Sequence, residues 1–264
     1  MNKLLIATTA AVALATVGTA GAADLPVKAP PMVAAAPIVY GWTGCYVSGG
    51  VGYGMWNQDN NAFTTVGPPA STLTQTAGGR GWLGRVGVGC DYQVAPQFVI
   101  GAFGDYDWEN IHGNFQDIPT GFIGNEKLSA SWHAGLRVGY LPYPNLLTFI
   151  SGGWTQARFD AVTMTDAFGI IPGGLLNFNF PSNTYNGWFI GGGTEYLLPF
   201  APNLSWKTEY RFAQYEAANL AVTACVVGFC VPAGFSEHNE KFVQTVTTSL
   251  VWRFNFGGPV VARY

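Results

Sequence analysis

Strand-like segments in this chain are joined by connections that alternate between short and long, and few folds tolerate that rhythm. The segments are Cys45–Trp56, Gly79–Gln93, Phe98–Glu109, Lys127–Leu141, Leu146–Phe159, Thr184–Leu198, Leu204–Tyr215 and Lys241–Phe256. Each reaches at least the roughly 9–11 residues that a tilted strand needs to cross a bilayer. Three connections are tight and contain proline: Val94–Gln97, Pro142–Asn145 and Pro199–Asn203. Four are long and polar: Asn57–Gly78, Asn110–Glu126, Asp160–Asn183 and Glu216–Glu240. Tight turns at one end and long loops at the other are the pattern of membrane-spanning barrels. The alternation predicts an all-β fold, an eight-stranded antiparallel transmembrane up-and-down β-barrel, with both termini on the side of the tight turns.

The start of the chain sets the compartment. Met1-Asn2-Lys3 is a short positive opening, Leu4 to Val17 is apolar, and Ala20-Gly21-Ala22 offers small residues for cleavage. This is the pattern of a secretory signal peptide over 1–22. The apolar run falls short of the roughly 18–20 residues needed to span as a helix. Residues 23–41 carry Pro26, Pro30, Pro31 and Pro37 and read as an extended periplasmic leader. The barrel domain is expected over 42–264, in the outer membrane of a Gram-negative cell. No second apolar run long enough for a helix follows, and inside lipid only helices and closed barrels satisfy every backbone polar group.

Composition agrees. Only 10% of residues are charged and 15% are aromatic, against about 25% charged in an ordinary soluble domain. The net charge of −3 leaves no basic face for nucleic acid. Alternation sorts the strands into two faces. Trp82, Val86, Val88, Cys90 and Tyr92 oppose Arg85, Asp91 and Gln93. Phe98, Ile100, Ala102, Tyr106 and Trp108 oppose Asp105, Asp107 and Glu109. Leu128, Ala130, Trp132, Ala134, Leu136, Val138 and Tyr140 oppose Ser129, Ser131, His133 and Arg137. Trp206, Thr208, Tyr210 and Phe212 oppose Lys207, Glu209 and Arg211. Val246, Thr248, Leu250, Trp252, Phe254 and Phe256 oppose Thr247, Ser249 and Arg253. A soluble sandwich would alternate too. The aromatics favour the barrel, because Trp82, Trp108 and Trp188 fall near one end of their strands and Tyr92, Tyr140, Tyr196 and Trp206 near the other, as two interfacial girdles do. The fifth strand does not sort cleanly, and a bulge is expected near Gly152-Gly153.

The stretch Gly41-Trp42-Thr43-Gly44-Cys45-Tyr46-Val47-Ser48-Gly49-Gly50-Val51-Gly52-Tyr53-Gly54 resembles the first strand of the RopB-type small outer-membrane proteins, relatives of the OmpA transmembrane domain. Leu136–Tyr140, Gly191–Tyr196, Lys207–Tyr210 and the ending Gly257–Tyr264 are similar to later parts of that family. The resemblance implies a barrel that supports membrane integrity and surface contacts rather than catalysis. It also implies outer-membrane lipids, lipopolysaccharide and the barrel-assembly machinery as partners, with peptidoglycan or a host surface as further candidates. Barrels of this kind end on an aromatic strand residue that the assembly machinery reads; here both Phe256 and Tyr264 fit that role.

The expected lumen holds Arg85, Arg137, Lys207, Arg211 and Arg253 against Asp91, Asp105, Asp107, Glu109, Glu195 and Glu209. An eight-stranded barrel is only wide enough for side chains to fill, and charges there are costly unless paired. An ion-pair network that plugs the tube is therefore expected. Asp105, Asp107 and Glu109 share one face and could attract a cation, but partnership with the lumen arginines is favoured. His112, His133 and His238 have no metal-ligand spacing. No nucleophile elbow occurs, and the many Gly-x-Gly steps precede no helix. No catalytic, cofactor or metal site is expected, and the chain is not expected to be an enzyme.

Cysteines in an oxidising compartment suggest disulfides. Cys225 and Cys230 bracket Val-Val-Gly-Phe, where Gly228 permits a tight reversal. Cys45 and Cys90 fall on the outer face near the turn ends of adjacent strands; a cross-strand bridge and two free thiols fit equally. Direct pairing there would set Met55 opposite Arg80. Two functional alternatives stand beside the structural role. One is a narrow passive diffusion pore. The other is an adhesin or a receptor whose loops bind a ligand such as haem, through Phe63, Phe115, Phe122, Phe168, Phe178, Phe229 and Phe235.

Overall fold

A computed structural model describes residues 41–254 apart from 69, 73, 118–121, 167–175, 202 and 227, and the side chains of 115–117 also fall outside the description. The expected signal peptide, nearly all of the leader, and Phe256 and Tyr264 lie outside the described residues.

The described chain is all β. Its strands are β1 (Gly44–Thr64), β2 (Gln75–Ala95), β3 (Phe98–Asp117), β4 (Phe122–Tyr143), β5 (Leu146–Phe159), β6 (Val162–Asp166), β7 (Leu176–Phe180), β8 (Asn183–Leu197), β9 (Leu204–Val226) and β10 (Phe229–Phe254). Every pairing is antiparallel. Eight strands, β1–β5 and β8–β10, form the ring, which closes where β1 pairs with β10 from Cys45↔Phe254 to Thr64↔Phe235. A closed ring has no edge, so each ladder N–H and C=O finds a partner without water.

Parity turns the ring into a tube with an apolar outer wall. Val47, Val51, Val86, Val88, Ile100, Leu136, Val138, Ile150, Ile190 and Leu250 are exposed outward. Above and below them, Trp82, Trp108 and Trp188 face out at one level and Tyr92, Tyr140, Tyr196 and Trp206 at the other. Tyr92 and Trp82 are ten residues apart on β2, about 33 Å at 3.3 Å per residue. At a tilt of about 40° that covers about 25 Å, the height of the hydrocarbon-facing band of such barrels.

Three sequence expectations are corrected. The long polar segments are not mainly loops. β1, β2, β3, β4, β9 and β10 run 20 to 26 residues, about twice what a bilayer needs. They carry the wall beyond the membrane, and His112 and His238 stand on these extensions rather than in loops. Outside lipid the outer face has no reason to be apolar, so the alternation that marks a strand fades there while the backbone ladder continues. The third segment forms a β6–β7 hairpin whose arms join β4 and β9, so the mouth wall runs β4-β6-β7-β9 past the ends of β5 and β8.

The bulge is also misplaced. Register runs unbroken through Gly152 and Gly153, and β5 alternates cleanly, with Leu147, Phe149, Ser151, Thr155, Ala157 and Phe159 inward. Instead β4 shifts register against both neighbours between Leu128 and Ala130. Leu128, expected outward, is therefore fully buried inside. Ser129, expected inward, is the irregular residue, and its Oγ donates to Asp160 Oδ1 at 2.8 Å.

Candidate functional site

The lumen is filled in tiers that change chemistry along the axis. The floor at the tight-turn end is apolar, built from Trp42, Val99, Leu141, Leu147, Phe149 and Leu197. Trp42 folds in under the strands and its Nε1 donates to the Pro144 carbonyl at 3.0 Å.

Next comes a four-residue charge ring. Arg137 on β4 donates from Nε to Asp91 Oδ1 at 2.8 Å, with a second short contact to the same carboxylate. It also reaches Glu195 Oε2 on β8 at 2.9 Å. From β10, Arg253 donates to Asp91 Oδ2 at 2.7 Å and to Glu195 Oε1 at 2.9 Å. Each carboxylate thus accepts from both guanidiniums, and each guanidinium bridges both carboxylates. Ser205 Oγ adds a 2.7 Å bond to Glu195. Bidentate, charge-assisted bonds are the strong kind, and all four charged residues are buried. The ring draws on β2, β4, β8 and β10, so it spans the tube.

A second charged tier lies above. Arg85 holds Asp107 through Nε at 2.7 Å and Nη2 at 2.6 Å. Arg211 holds Asp105 at 2.8 and 2.7 Å and Glu209 at 3.0 Å. Lys207 lies 3.6 Å from Glu209, and His133 Nδ1 lies 2.9 Å from Asp105. Aromatic faces cover the guanidiniums: Arg211 sits 5.1 Å from the Phe103 ring and 4.9 Å from Phe189. Asp105, Asp107 and His133 offer three ligand atoms within 4.8 Å of one another, but arginines already occupy both carboxylates. Glu109 is buried in the same wall and has no cation within 4.0 Å among the described residues.

Above the charges the filling turns apolar again, with Trp56, Leu83, Ile111, Leu128, Phe159, Phe189, Tyr215 and Val243. Gly79 makes room for Trp56, since a Cβ there would sit 2.5 Å from the indole Nε1 and 2.6 Å from the His112 backbone. Lys241 caps this tier. Its Nζ lies 4.2 Å from the Phe159 ring centre and 5.2 Å from Tyr185, and it donates to Glu126 at 2.7 Å and to Gln58.

The mouth holds a third apolar cluster. Phe178 meets Phe122 at 4.8 Å and Phe235 at 5.5 Å between ring centres, with Val162, Met164, Phe180 and Val222 around them. Phe122, Phe178 and Phe235 therefore pack on one another, whereas Phe229 is exposed. Phe168 and the side chain of Phe115 lie outside the described residues.

All eleven charged residues expected in the lumen are buried there. Glu126 and Lys241 were not on that list, and the sequence offered a signal for only one of them. Lys241 begins a strand pattern whose next-but-one residues face inward, while Glu126 lies in a segment without visible alternation. Both cysteine pairs are bridged. Cys45 pairs with Cys90 on the outer face, with Met55 opposite Arg80 further along the same ladder. Cys225 pairs with Cys230 at the tip of the β9–β10 hairpin, where Gly228 has φ of 85°. That positive φ suits glycine, which has no Cβ to clash.

No family model matches the chain. The 31 kDa outer-membrane immunogenic protein of Brucella melitensis biotype 1 is 27% identical over 245 residues, covering 89% of this chain and 94% of that protein. Its counterpart in Brucella suis biovar 1 matches to the same extent. Among solved structures, the outer membrane protein OprG of Pseudomonas aeruginosa aligns with a TM-score of 0.46 at 8% identity, over 82% of this chain and 100% of that one. Ail, the attachment invasion locus protein of Yersinia pestis, aligns with a TM-score of 0.32 at 10% identity, over 78% and 99%. The closed ladder, the apolar outer band and the sequence relatives together make this chain an outer-membrane β-barrel protein with a surface or membrane role.

Proposed function

We propose that this outer-membrane barrel is a sealed structural element of the envelope, related to the RopB-type and OmpA-like small barrels, whose mouth presents a rigid surface outward. One observation carries the reading: the Asp91–Arg137–Glu195–Arg253 ring ties opposite walls together across the lumen. Apolar layers below this ring and above the second charged tier close the polar filling at both ends. The reading assigns the chain no catalytic role, since Asp91, Asp105, Asp107, Glu195 and Glu209 are all engaged by arginines rather than held free for proton transfer. Its partners are the surrounding lipids and lipopolysaccharide, the assembly machinery that inserts it, and peptidoglycan for the leader. Surface recognition is supported by the Brucella relatives, named as immunogenic. The test is conductance of the purified barrel in a planar bilayer. No steady openings are expected; steady openings would overturn the seal and favour a diffusion pore.

A second reading has one observation behind it. A cavity of about 90 Å³ lies in the mouth, lined by Phe122, Met164, Phe178, Phe180 and Phe235 with Gln75 and Glu237. It suits a small apolar group and is far below the roughly 300–1,000 Å³ of sites for larger ligands such as haem. Saturable quenching of the outer-barrel tryptophans by small aromatic compounds, lost in Phe178→Ala, would support it.

A further inference from the structure

Nine of the chain's lysines and arginines fall among the described residues, and six of them, Arg85, Arg137, Lys207, Arg211, Lys241 and Arg253, are buried in the lumen. The other three, Arg80, Lys127 and Arg158, all point outward, and all stand on one flank, on β2, β4 and β5. Cross-strand register sets Arg80 opposite His112 and His112 opposite Lys127, so these side chains form one row along the outer wall. Arg158 follows on β5, just beyond the β4 bulge.

Their height is as specific as their side. Moving along each strand away from the membrane, the outward positions read Trp82 then Arg80 on β2, and Trp108, Asn110, His112 on β3. On β4 they read Trp132, Ala130, Lys127, and on β5 Trp154, Gln156, Arg158. The cations thus stand one or two outward positions above the tryptophan ring, two residues along the strand for Arg80, four for Arg158 and five, across the bulge, for Lys127, about 7–16 Å. Tryptophan marks the hydrocarbon boundary, so this row lies beyond the hydrocarbon, in the headgroup zone.

No carboxylate lies within 4.0 Å of Arg80, Lys127 or Arg158 among the described residues. Asp160, whose backbone N–H donates to the Lys127 carbonyl, accepts from Ser129. An open groove of about 620 Å³ runs beside the row. Gly78 leaves its floor without an outward side chain, and Arg80, His112, Asn114 and Asn125 line it with polar groups. His112 is fixed there, its ring nitrogens 3.1 Å from Asn125 Oδ1 and 2.7 Å from Asn110 Oδ1. The other half of the ring has the reverse sign: Asp59 on β1, which accepts from Thr76 of β2 at 2.7 Å, faces Glu240 on β10, and Glu216 is exposed on β9. A barrel that merely needed solubility would mix the signs around its collar.

Resting on the lipopolysaccharide contact proposed above, we infer that the β2–β5 flank is a docking site for the phosphorylated glucosamine headgroup of an outer-leaflet glycolipid, with Arg80, Lys127 and Arg158 contacting phosphate and His112, Asn114 and Asn125 contacting sugar hydroxyls. The acyl chains would lie against the apolar wall below, which the same four strands supply through Trp82, Val86, Tyr106, Leu136 and Ile150. The site orients the barrel azimuthally in the leaflet, with its acidic flank turned away from that lipid.

The test uses the full barrel in detergent, with heat-modifiable gel mobility confirming that each variant is folded. Binding of bis-phosphorylated lipid A is followed by native mass spectrometry, against dephosphorylated lipid A and inorganic phosphate. One tightly held bis-phosphorylated lipid is expected. Arg80→Gln, Lys127→Gln and Arg158→Gln combined should weaken it about 100-fold, at about fivefold per cation near an anionic lipid surface. Asp59→Asn with Glu240→Gln should not weaken it. Equal retention of dephosphorylated lipid A, full competition by inorganic phosphate, or an unchanged affinity in the triple variant would each overturn the assignment.

Discussion

Arg211 on β9 grips Asp105 on β3 with both terminal nitrogens, at 2.8 and 2.7 Å, across the width of the lumen. The pair is buried on both sides, so removing one member leaves an uncompensated charge. Asp105→Asn should destabilise the barrel by about 3–5 kcal/mol, read as a lower urea midpoint for unfolding from lipid vesicles. Replacing both, as Arg211→Met with Asp105→Leu, should cost clearly less than the sum of the single changes. Additive losses would show that the two residues do not interact.

The inward turn of Leu128 gives a direct test of the β4 bulge. Leu128 is fully buried among Trp56, Ile111 and Phe159, whereas Leu136, eight residues on, is 67% exposed toward lipid. Leu128→Ala should open a cavity and cost about 2–5 kcal/mol. Leu136→Ala leaves a gap that lipid fills and should cost much less. The reverse ranking, measured by the same unfolding midpoints, would place the register shift elsewhere.

Gly79 and Gly49 predict opposite outcomes for the same substitution. At Gly79 a new methyl would press on the Trp56 indole and on the His112 backbone, and the backbone cannot step aside; Gly49 has nothing within 4 Å. Gly79→Ala should cost about 1–3 kcal/mol through overpacking, with a shift in tryptophan emission as Trp56 is displaced. Gly49→Ala should fall within about 0.5 kcal/mol of the parent.

The two disulfides should differ in worth. Cys45 and Cys90 are separated by 45 residues and Cys225 and Cys230 by 5. Loop-closure entropy gives about 4 kcal/mol for the first and about 2 for the second. Cys45→Ser with Cys90→Ser should therefore lower the unfolding midpoint more than Cys225→Ser with Cys230→Ser. The second change should instead loosen the hairpin tip, where Asn179 Nδ2 donates to Cys225 Sγ at 3.0 Å, and so increase proteolysis of the β6–β7 arm.

The membrane half of the fold was legible because lipid imposes a strict two-residue period. Val86, Val88 and Tyr92 must be apolar where Arg85 and Asp91 need not be, and that contrast lines up the lumen charges without any knowledge of distance. Above the tryptophan ring the rule lapses. Asn57, Asp59, Asn60 and Asn61 continue β1, yet both faces are polar and nothing in the string separates them from a loop. The partners within the lumen were not legible either. Asp91 meets Arg137 and Arg253 through register and tilt, which join residues 46 and 162 positions away. Leu128 misled for a third reason: one irregular residue, Ser129, inverts every parity beyond it, and an apolar side chain suits either a lipid face or a core.

Most of the strong ion pairs in the tube join strands that are not ladder neighbours: β2 with β4 and β10, β8 with β4 and β10, β3 with β9. A hairpin entering the bilayer alone would carry such charges bare toward hydrocarbon, a costly state. They are neutralised together only when β1 finally meets β10. Insertion should therefore behave as a single concerted event, with partly zipped sheets too short-lived to accumulate.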